Sequence, residues 1–229
     1  MIDGAFARFI TVGRHAIHKI PLGVSMEEAA LCEPMAAAVR ALTERATVNA
    51  GDRVLVSGAG PIGLLCAAVA RAQGAVVMMC GPGTDQRRLR CAGELGVDAV
   101  VNLDRDNLFE TIAACTGGEG VDIAVECAGA PLSLKICLEH LRKGGTLVQV
   151  GIYSEPFSAD FNRIVMNELQ VFGVYGHVWG TWEKTLALMQ SKKVDVRPLI
   201  THKMPLTDWR EGVDAIQRGE AIKVLLQPV

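Results

Sequence analysis

Residues 54–81 decide the fold, and their sequence is VLVSGAGPIGLLCAAVARAQGAVVMMCG. Apolar runs stand at both ends, with three spaced glycines and an alanine-rich stretch between them. A strand, the pattern Gly-x-Gly-x-x-Gly and the start of a helix are together typical of a dinucleotide-binding unit. In this pattern Gly58 permits a tight turn, Gly60 lets the backbone approach a pyrophosphate, and Gly63 lets the helix lie close to the strand.

The helix that follows the loop is predicted to present free N–H groups and the positive end of its dipole to phosphate groups. The motif by itself leaves two alternatives open. One is a glycine-rich turn without a ligand, and the other is a site for another dinucleotide such as FAD.

Outward from this loop, apolar runs alternate with helical stretches. Strands are predicted at 53–58, 76–80, 99–103, 121–129, 146–152 and 169–176. Helices are predicted at 62–73, 85–95, 108–115 and 131–141. Apolar strands joined by helical crossovers form a parallel sheet that is buried on both faces. The predicted fold class is therefore α/β, a doubly wound parallel six-stranded (Rossmann) sheet with the order 3-2-1-4-5-6.

The two ends of the chain fall outside this alternation. Residues 4–12 predict a strand, and Ser25 with Glu28 predicts a capping box at the start of a helical stretch that Pro34 divides in two. Near the C-terminus the predicted elements are a helix, an extended segment, a helix and a strand, at 182–193, 198–206, 207–219 and 223–228. Thr207 is the expected N-cap of the second of these helices.

The composition argues against several function classes. The chain has 229 residues, of which 50% are hydrophobic, and a formal net charge of −2. There is no basic surplus for nucleic-acid binding, and no apolar run reaches the roughly 20 residues of a membrane span. The 7 cysteines are scattered without a Cys-x-x-Cys pair, which favours free thiols in a reducing compartment. We therefore expect a cytoplasmic protein with no nucleic-acid and no membrane partner.

The residue that contacts the adenosine ribose is left open by the sequence. Dinucleotide-binding chains usually carry Asp or Glu at the end of the second strand, where this chain has Gly81. An absent carboxylate leaves room for a 2′-phosphate, which Arg87 or Arg88 would hold. In a second interpretation Asp85, displaced by a longer turn, accepts from the ribose, and in a third it caps the following helix. Both NAD and NADP remain candidates.

Several stretches together resemble the zinc-dependent medium-chain alcohol dehydrogenases, in particular the sorbitol and threonine dehydrogenase branch. They cover essentially the whole chain and are DGAFARF, AALCEPMAAAVRAL, GDRVLVSGAGPIGLL, RLRCAGELGVDAVVN, GVDIAVECAG, LRKGGTLVQVGI and KVLLQP. The resemblance implies hydride transfer between a secondary alcohol (a polyol, a sugar alcohol or an amino alcohol) and NAD or NADP. In the intact enzyme a zinc ion would polarise the alcohol oxygen.

The chain departs from that family at its beginning. Members carry a GroES-like catalytic domain with a Cys ligand, a Gly-His-Glu motif and a four-cysteine lobe, and this sequence has none of the three. The resemblance therefore implies an N-terminally truncated chain that lacks zinc, with remnants of the catalytic domain at both ends. Residues 1–45 would be one remnant with linking helices, 46–176 the Rossmann domain, and 177–229 a segment returning toward the catalytic domain.

Glu33 is the one catalytic and metal-site residue that the resemblance carries over. In the polyol branch the Glu of a Glu-Pro pair faces the zinc, and LCEPM matches that pattern. One carboxylate does not make a zinc site, which needs three or four ligands. Cys32 is expected in the core, and His15 and His18 are expected as unconnected surface residues. No role is assigned to the histidines at 140, 177 and 202.

The family's cofactor contacts fall by position on three parts of the chain. The pyrophosphate loop matches Gly58, Gly60, Pro61, Ile62 and Gly63. The adenosine side matches Gly81 and Arg88. The ends of the fourth and fifth strands, where the backbone passes the nicotinamide, match Cys127, Ala128, Val150, Gly151 and Ile152.

Three interpretations of function follow. The favoured one is the nucleotide-binding part of an alcohol-oxidising enzyme of this family, with a small-molecule alcohol as substrate. The second is a catalytically inactive dinucleotide-binding module, because the glycine loop is present and the metal ligands are missing. The third is a zinc-free quinone oxidoreductase on the same scaffold, against which LCEPM argues.

The sixth predicted strand indicates self-association as a homodimer. Residues 169–176 are apolar on both faces and carry no lysine or proline, yet they lie at the sheet edge in the expected order. A symmetric copy would pair the free backbone groups, and the resemblance implies a dimer through this side of the sheet. The alternative is an edge covered by the C-terminal helix or by residues 154–167.

Overall fold

The computed structural model describes residues 4–228. Its largest element is a six-stranded sheet with the order β3-β2-β1-β4-β5-β6, in which every neighbouring pair is parallel. The strands are β1 Arg53–Ser57, β2 Val76–Gly81, β3 Ala99–Asn102, β4 Val121–Glu126, β5 Leu141–Gln149 and β6 Gln170–Gly173. The predicted doubly wound sheet and its strand order are confirmed.

Helices connect these strands and precede and follow the sheet. They are α1 Met26–Ala29, α2 Cys32–Arg40, α3 Pro61–Ala72, α4 Gln86–Glu94, α5 Leu108–Thr116, α6 Pro131–His140, α7 Asn162–Met166, α8 Trp179–Gln190 and α9 Trp209–Gln217. A second, small sheet pairs β7 Ile200–Pro205 with β8 Lys223–Gln227 in parallel. None of the helices within residues 4–228 combines the length and the apolar character that crossing a membrane requires.

The sheet is buried on both faces because its central strands are apolar throughout. Val54 and Val56 belong to the core on the side of α2, α3 and α8, whereas Leu55 belongs to the core on the side of α5 and α6. Successive residues of a strand point to opposite faces, so one continuous apolar run supplies both cores.

The capping box predicted at the start of α1 is confirmed. Ser25 Oγ accepts from the N–H of Glu28 at 3.1 Å, and the N–H of Ser25 donates to Glu28 Oε2 at 2.8 Å, which completes the capping box. The following stretch is divided into α1 and α2, and Pro34 lies in the first turn of α2. Proline is tolerated there because the first N–H groups of a helix have no partner inside it.

Two local predictions are wrong. Residues 4–12 form bends and loop rather than a strand, because no described strand lies beside them to pair their backbone groups. Thr207 is not an N-cap, because it lies in a 3₁₀ turn before α9, whose N-cap position is held by Asp208. The Thr207 hydroxyl donates instead to Asp208 Oδ1 at 2.8 Å.

The strand β5 begins earlier than predicted. It pairs with β4 at Val121 and Leu141, loses register, and pairs again from Ile123 and Thr146 onward. The intervening residues include Gly144, whose φ of +70° suits glycine. The regular part of β5 therefore starts where the sequence predicts it, and the extra residues form an irregular entry.

Candidate cofactor-binding site

The turn between β1 and α3 carries the three glycines of the motif. Gly58 has a φ of +106°, and a Cβ there would lie 2.8 Å from the backbone nitrogen of Ala128. A Cβ on Gly63, in the first turn of α3, would overlap the carbonyl oxygen of Gly58. The roles predicted for Gly58 in the tight turn and for Gly63 in close packing are therefore confirmed.

Gly60 differs from both because it faces open space. A Cβ built on Gly60 would meet no heavy atom within 4 Å. Gly60 is the N-cap of α3 and Pro61 is its first residue, and no side chain caps this helix end. The N–H groups of Ile62 and Gly63 in the first turn thus have no partner inside the helix. An open space beside a free helix N-terminus fits the pyrophosphate of a dinucleotide.

A cavity of about 360 Å³ lies in front of this loop, where β1, β2 and β4 end. Six of the predicted cofactor-binding residues line it: Gly58, Gly60, Gly81, Arg88, Cys127 and Ala128. Leu103, Leu132 and Ile136 form an apolar part of its wall. Doubly wound sheets bind their ligands at the carboxyl ends of the strands, and this cavity is at that edge.

The residues predicted at the end of β5 do not line this cavity. Gly151 and Ile152 line a neighbouring one of about 700 Å³, and Val150 packs against the core. The turn after β4 nevertheless touches the turn after β5 through the backbone. A Cβ on Gly129, which follows Ala128, would collide with the carbonyl oxygen of Ile152.

The end of the cavity between β2 and α4, predicted as the adenosine side, holds an ion pair. Arg88 Nη1 lies 2.8 Å from Asp85 Oδ1, and both side chains are mostly buried. Asp85 holds the N-cap position of α4, as the third interpretation predicted, but its side chain makes no hydrogen bond to the start of that helix. Arg87 donates to the carbonyl oxygen of Glu220. The buried Nε of Arg88 has no partner in the described part of the chain.

A second carboxylate stands beside the turn after β2. Asp104 Oδ2 accepts from the N–H of Gly83 at 2.8 Å. This carboxylate therefore lies beside Gly83, two residues beyond Gly81, the last residue of β2.

Sequence reasoning missed Glu126, which is fully buried at the end of β4. It accepts from the N–H groups of Ala128 and Gly129 at 2.9 Å each, and from Gln149 Nε2 at 2.5 Å. A signal was available in the sequence, since a Glu inside a strand that is buried on both faces requires hydrogen-bonding partners.

Cys127 lies beside Cys66, with 3.9 Å between the two sulfur atoms. The hydrogen bond with Cys66 and burial together raise the pKa of the Cys127 thiol well above its ordinary value. All seven cysteines are free thiols, as the sequence predicted.

Glu33 has a partner that the sequence did not reveal, His177. Trp182 Nε1–H donates to His177 Nδ1 at 2.9 Å, so the neutral ring carries its proton on Nε2. That nitrogen lies 3.3 Å from Glu33 Oε1. Cys32 is buried, and burial raises the pKa of its thiol to about 11, which agrees with the predicted core position.

His18 was predicted as an unconnected surface residue, and that prediction is wrong. Its Nδ1 lies 2.8 Å from Glu183 Oε1, and its ring centroid lies 3.8 Å from that of Trp179 and 5.3 Å from that of Trp182. These residues are far apart in sequence, so no local pattern brings them together. His15 is exposed, as expected.

The described residues do not fit a zinc ion. Within 4–228 no three His, Cys, Asp or Glu side chains are grouped so that they could hold a metal, and Glu33 has only His177 at its carboxylate. Zinc sites need three or four ligands.

Comparisons with known proteins identify the family of this chain. The profile of the family described as zinc-binding dehydrogenase matches residues 61–191. A sorbitol dehydrogenase of Halalkalibacterium halodurans is 37% identical over 228 residues, which are 99% of this chain and 66% of that protein. An L-threonine 3-dehydrogenase of Yersinia pestis is 35% identical over 97% of this chain and 64% of its own length.

A solved structure gives the same result for the fold. The 2R,3R-butanediol dehydrogenase of Bacillus subtilis superposes with a TM-score of 0.83 at 33% identity, over 93% of this chain and 60% of that one. The chain thus spans 60–66% of the length of these relatives. The family profile covers more than half of the chain and includes Pro61, Ile62 and Gly63 at the start of α3. The chain belongs to the zinc-binding dehydrogenases.

Proposed function

We propose that this chain binds NAD and is the nucleotide-binding part of an oxidoreductase that acts on secondary alcohols. The observation that carries the proposal is the open space in front of Gly60 at the uncapped N-terminus of α3. The relatives are named for sorbitol, L-threonine and 2R,3R-butanediol, each of which has a secondary hydroxyl group. A small alcohol of this kind is the proposed substrate.

Each part of the site has a proposed task. The first turn of α3 holds the pyrophosphate through backbone N–H groups, helped by the positive end of the helix dipole. Cys127 and Ala128 with residues 150–152 present backbone to the nicotinamide half. When bound, the nicotinamide ring accepts the hydride from the alcohol carbon.

NAD is proposed over NADP because of the charges at the end of β2. Asp85 lines the cavity together with Gly81, and a 2′-phosphate at this end of the cavity would face its carboxylate. Arg88 is already paired with Asp85, and Arg87 is bonded to Glu220. A ribose hydroxyl, in contrast, donates well to a carboxylate such as Asp85.

The role of Glu33 is proposed from the family alone. In the intact enzyme it would face the catalytic zinc, and among the described residues of this chain it is not part of a group of three possible metal ligands. We propose that the chain by itself binds the dinucleotide without oxidising alcohols. The division into segments 1–45, 46–176 and 177–229 belongs to the same proposal.

A homodimer through the edge of the sheet is also proposed. Among the described residues β6 pairs only with β5, so one side of its backbone is free. Val171 on this strand is 45% exposed, and the nearby Phe161, Val165 and Met166 are exposed apolar residues. A symmetric copy would cover them and pair the edge. Free thiols throughout support a cytoplasmic location.

Calorimetric titration of the purified chain with NAD and with NADP tests the first proposal. We expect saturable binding of NAD and weaker binding of NADP. Assays with sorbitol and L-threonine, with and without added zinc, test the proposal that the chain by itself does not oxidise alcohols. Zinc-dependent turnover by this chain would show that it is a complete catalyst, and no binding of either dinucleotide would refute the proposed function.

A further inference from the structure

Glu126 is a carboxylate with no solvent and no cation beside it. Its side chain is 0% exposed, and no salt bridge within residues 4–228 includes it. A buried carboxylate destabilises a fold unless hydrogen bonds satisfy it. Its hydrogen-bonding partners therefore indicate its role.

The partners of Glu126 come from two different turns. Its Oε1 accepts from the N–H groups of Ala128 and Gly129, in the turn after β4. Its Oε2 accepts from Gln149 Nε2, which also donates to the carbonyl oxygen of Gly151 at 2.8 Å, in the turn after β5. One side chain therefore ties both turns together.

Tyr153 fixes the orientation of the Gln149 amide in this network. Its hydroxyl donates to Gln149 Oε1 at 3.1 Å, which leaves the NH₂ group of Gln149 facing Glu126. Burial, with the charge of Glu126 as a further cause, raises the pKa of Tyr153 to about 12, so the hydroxyl keeps its proton.

The turn after β4 is also wedged between its neighbours. Gly58 approaches the backbone of Ala128, and the backbones of Gly129 and Gly151 touch, since a Cβ on any of these glycines would collide with the opposing turn. A displacement of residues 127–130 would therefore be passed both to the glycine loop and to residues 150–152.

We infer that Glu126 is the positioning residue that holds the turns after β4 and β5 in one arrangement for the nicotinamide half of the dinucleotide. This inference rests on the proposed dinucleotide binding. Three donors converge on this carboxylate, and only a group without hydrogens of its own satisfies all of them. Ordering flexible turns on binding costs free energy and lowers affinity. Turns that are already held in the bound arrangement avoid this cost.

The variant Glu126→Gln tests the inference, with NAD and ADP as the two probes in calorimetry. ADP carries the adenosine and the pyrophosphate but no nicotinamide half. We expect the affinity of Glu126→Gln for NAD to fall about tenfold, because one amide N–H now faces other donors. The affinity for ADP should stay within about threefold of the parent value. Glu119→Gln, an exposed change elsewhere, is the control and should alter neither.

Gln149→Ala is the second variant, because it cuts the link from Glu126 to Gly151, together with the bond from Tyr153, and leaves the bonds from Ala128 and Gly129 to Glu126 in place. Like Glu126→Gln, it should lower the affinity for NAD and leave the affinity for ADP unchanged. Unchanged NAD affinity in both variants would overturn the inference, as would an equal loss of NAD and ADP binding in both, since that is the result of general unfolding of the site. A parent chain that binds neither ligand would instead refute the proposed function itself.

Discussion

The carbonyl oxygen of Gly58 occupies the position where a side chain on Gly63 would begin. This contact brings the first turn of α3 directly against the turn that leaves β1. It places the helix N-terminus at the cavity, and it requires glycine at residue 63 for a reason that is independent of any ligand.

Gly63→Ala should therefore destabilise the protein even in the absence of a dinucleotide. The new methyl group collides with backbone that has little freedom to move, and we expect a loss of about 1–3 kcal/mol in the free energy of unfolding. Urea denaturation followed by circular dichroism measures it. Gly93→Ala on α4 is the matched control, since a Cβ there meets nothing within 4 Å, and it should stabilise by about 0.5–1 kcal/mol.

Asp85→Asn should shift the preference toward NADP. The change removes one negative charge facing a 2′-phosphate and releases Arg88 to bind it. We expect the ratio of NADP to NAD affinity to rise about tenfold in calorimetry. Asp214→Asn, an exposed change on α9, should leave the ratio as it is. A ratio in Asp85→Asn equal to that of the parent would mean that Asp85 does not face the ribose.

Acid should weaken the protein in part through Glu28. Its hydrogen bonds with Ser25 and its contact with Lys192, at 2.9 Å, lower its pKa from 4.5 to about 2. A carboxyl whose pKa is lower in the folded state stabilises the fold above the unfolded pKa, and this contribution is lost as the pH falls from about 4.5 to about 2.

Glu28→Gln keeps the shape of the capping box but cannot ionise. It should cost about 1–2 kcal/mol in unfolding free energy at pH 7 and much less near pH 2.5. Urea midpoints measured over this pH range check the expectation. Glu27→Gln on the same helix serves as the comparison. A difference between Glu28→Gln and the parent that is constant from pH 7 to pH 2.5 would contradict the assignment.

Val171→Lys should convert the proposed dimer to a monomer. Val171 lies on the free edge strand and is exposed, whereas Val174 packs partly against the core and is a poorer test position. A lysine at an edge opposes pairing with another strand. Sedimentation velocity should give one dimeric species for the parent and a folded monomer for the variant. Val213→Lys on α9 should remain a dimer, and a monomeric parent would remove the basis of the proposal.

The parts of the fold that sequence reasoning predicted are those that depend on local patterns. Continuous apolar runs predict strands buried on both faces, and Gly58 and Gly63 mark a turn that only glycine accommodates. The same reasoning failed for residues 4–12, whose apolar character predicts a strand but whose backbone has no described neighbour to pair with.

The contacts that sequence reasoning missed join residues that are far apart in the chain. His177 meets Glu33 across 144 positions, and His18 meets Glu183 across 165. Neither pair has a spacing that a helix or strand period would reveal. The packing of α2 against α8 brings Glu33 to His177, and the segment before α1 brings His18 to Glu183 on α8. Glu126 was detectable in principle, because a charged residue in a buried strand requires partners, but the sequence does not say which ones.

The measurement that most directly tests dinucleotide binding by the glycine loop is calorimetric titration of NAD into the parent chain and into Gly60→Val. A Cβ on Gly60 meets no protein atom within 4 Å, so the variant should fold like the parent and give the same circular dichroism spectrum. The added methyl groups occupy the space in front of α3, so NAD binding should fall below detection. A folded Gly60→Val protein that binds NAD as tightly as the parent would show that the loop is only a turn.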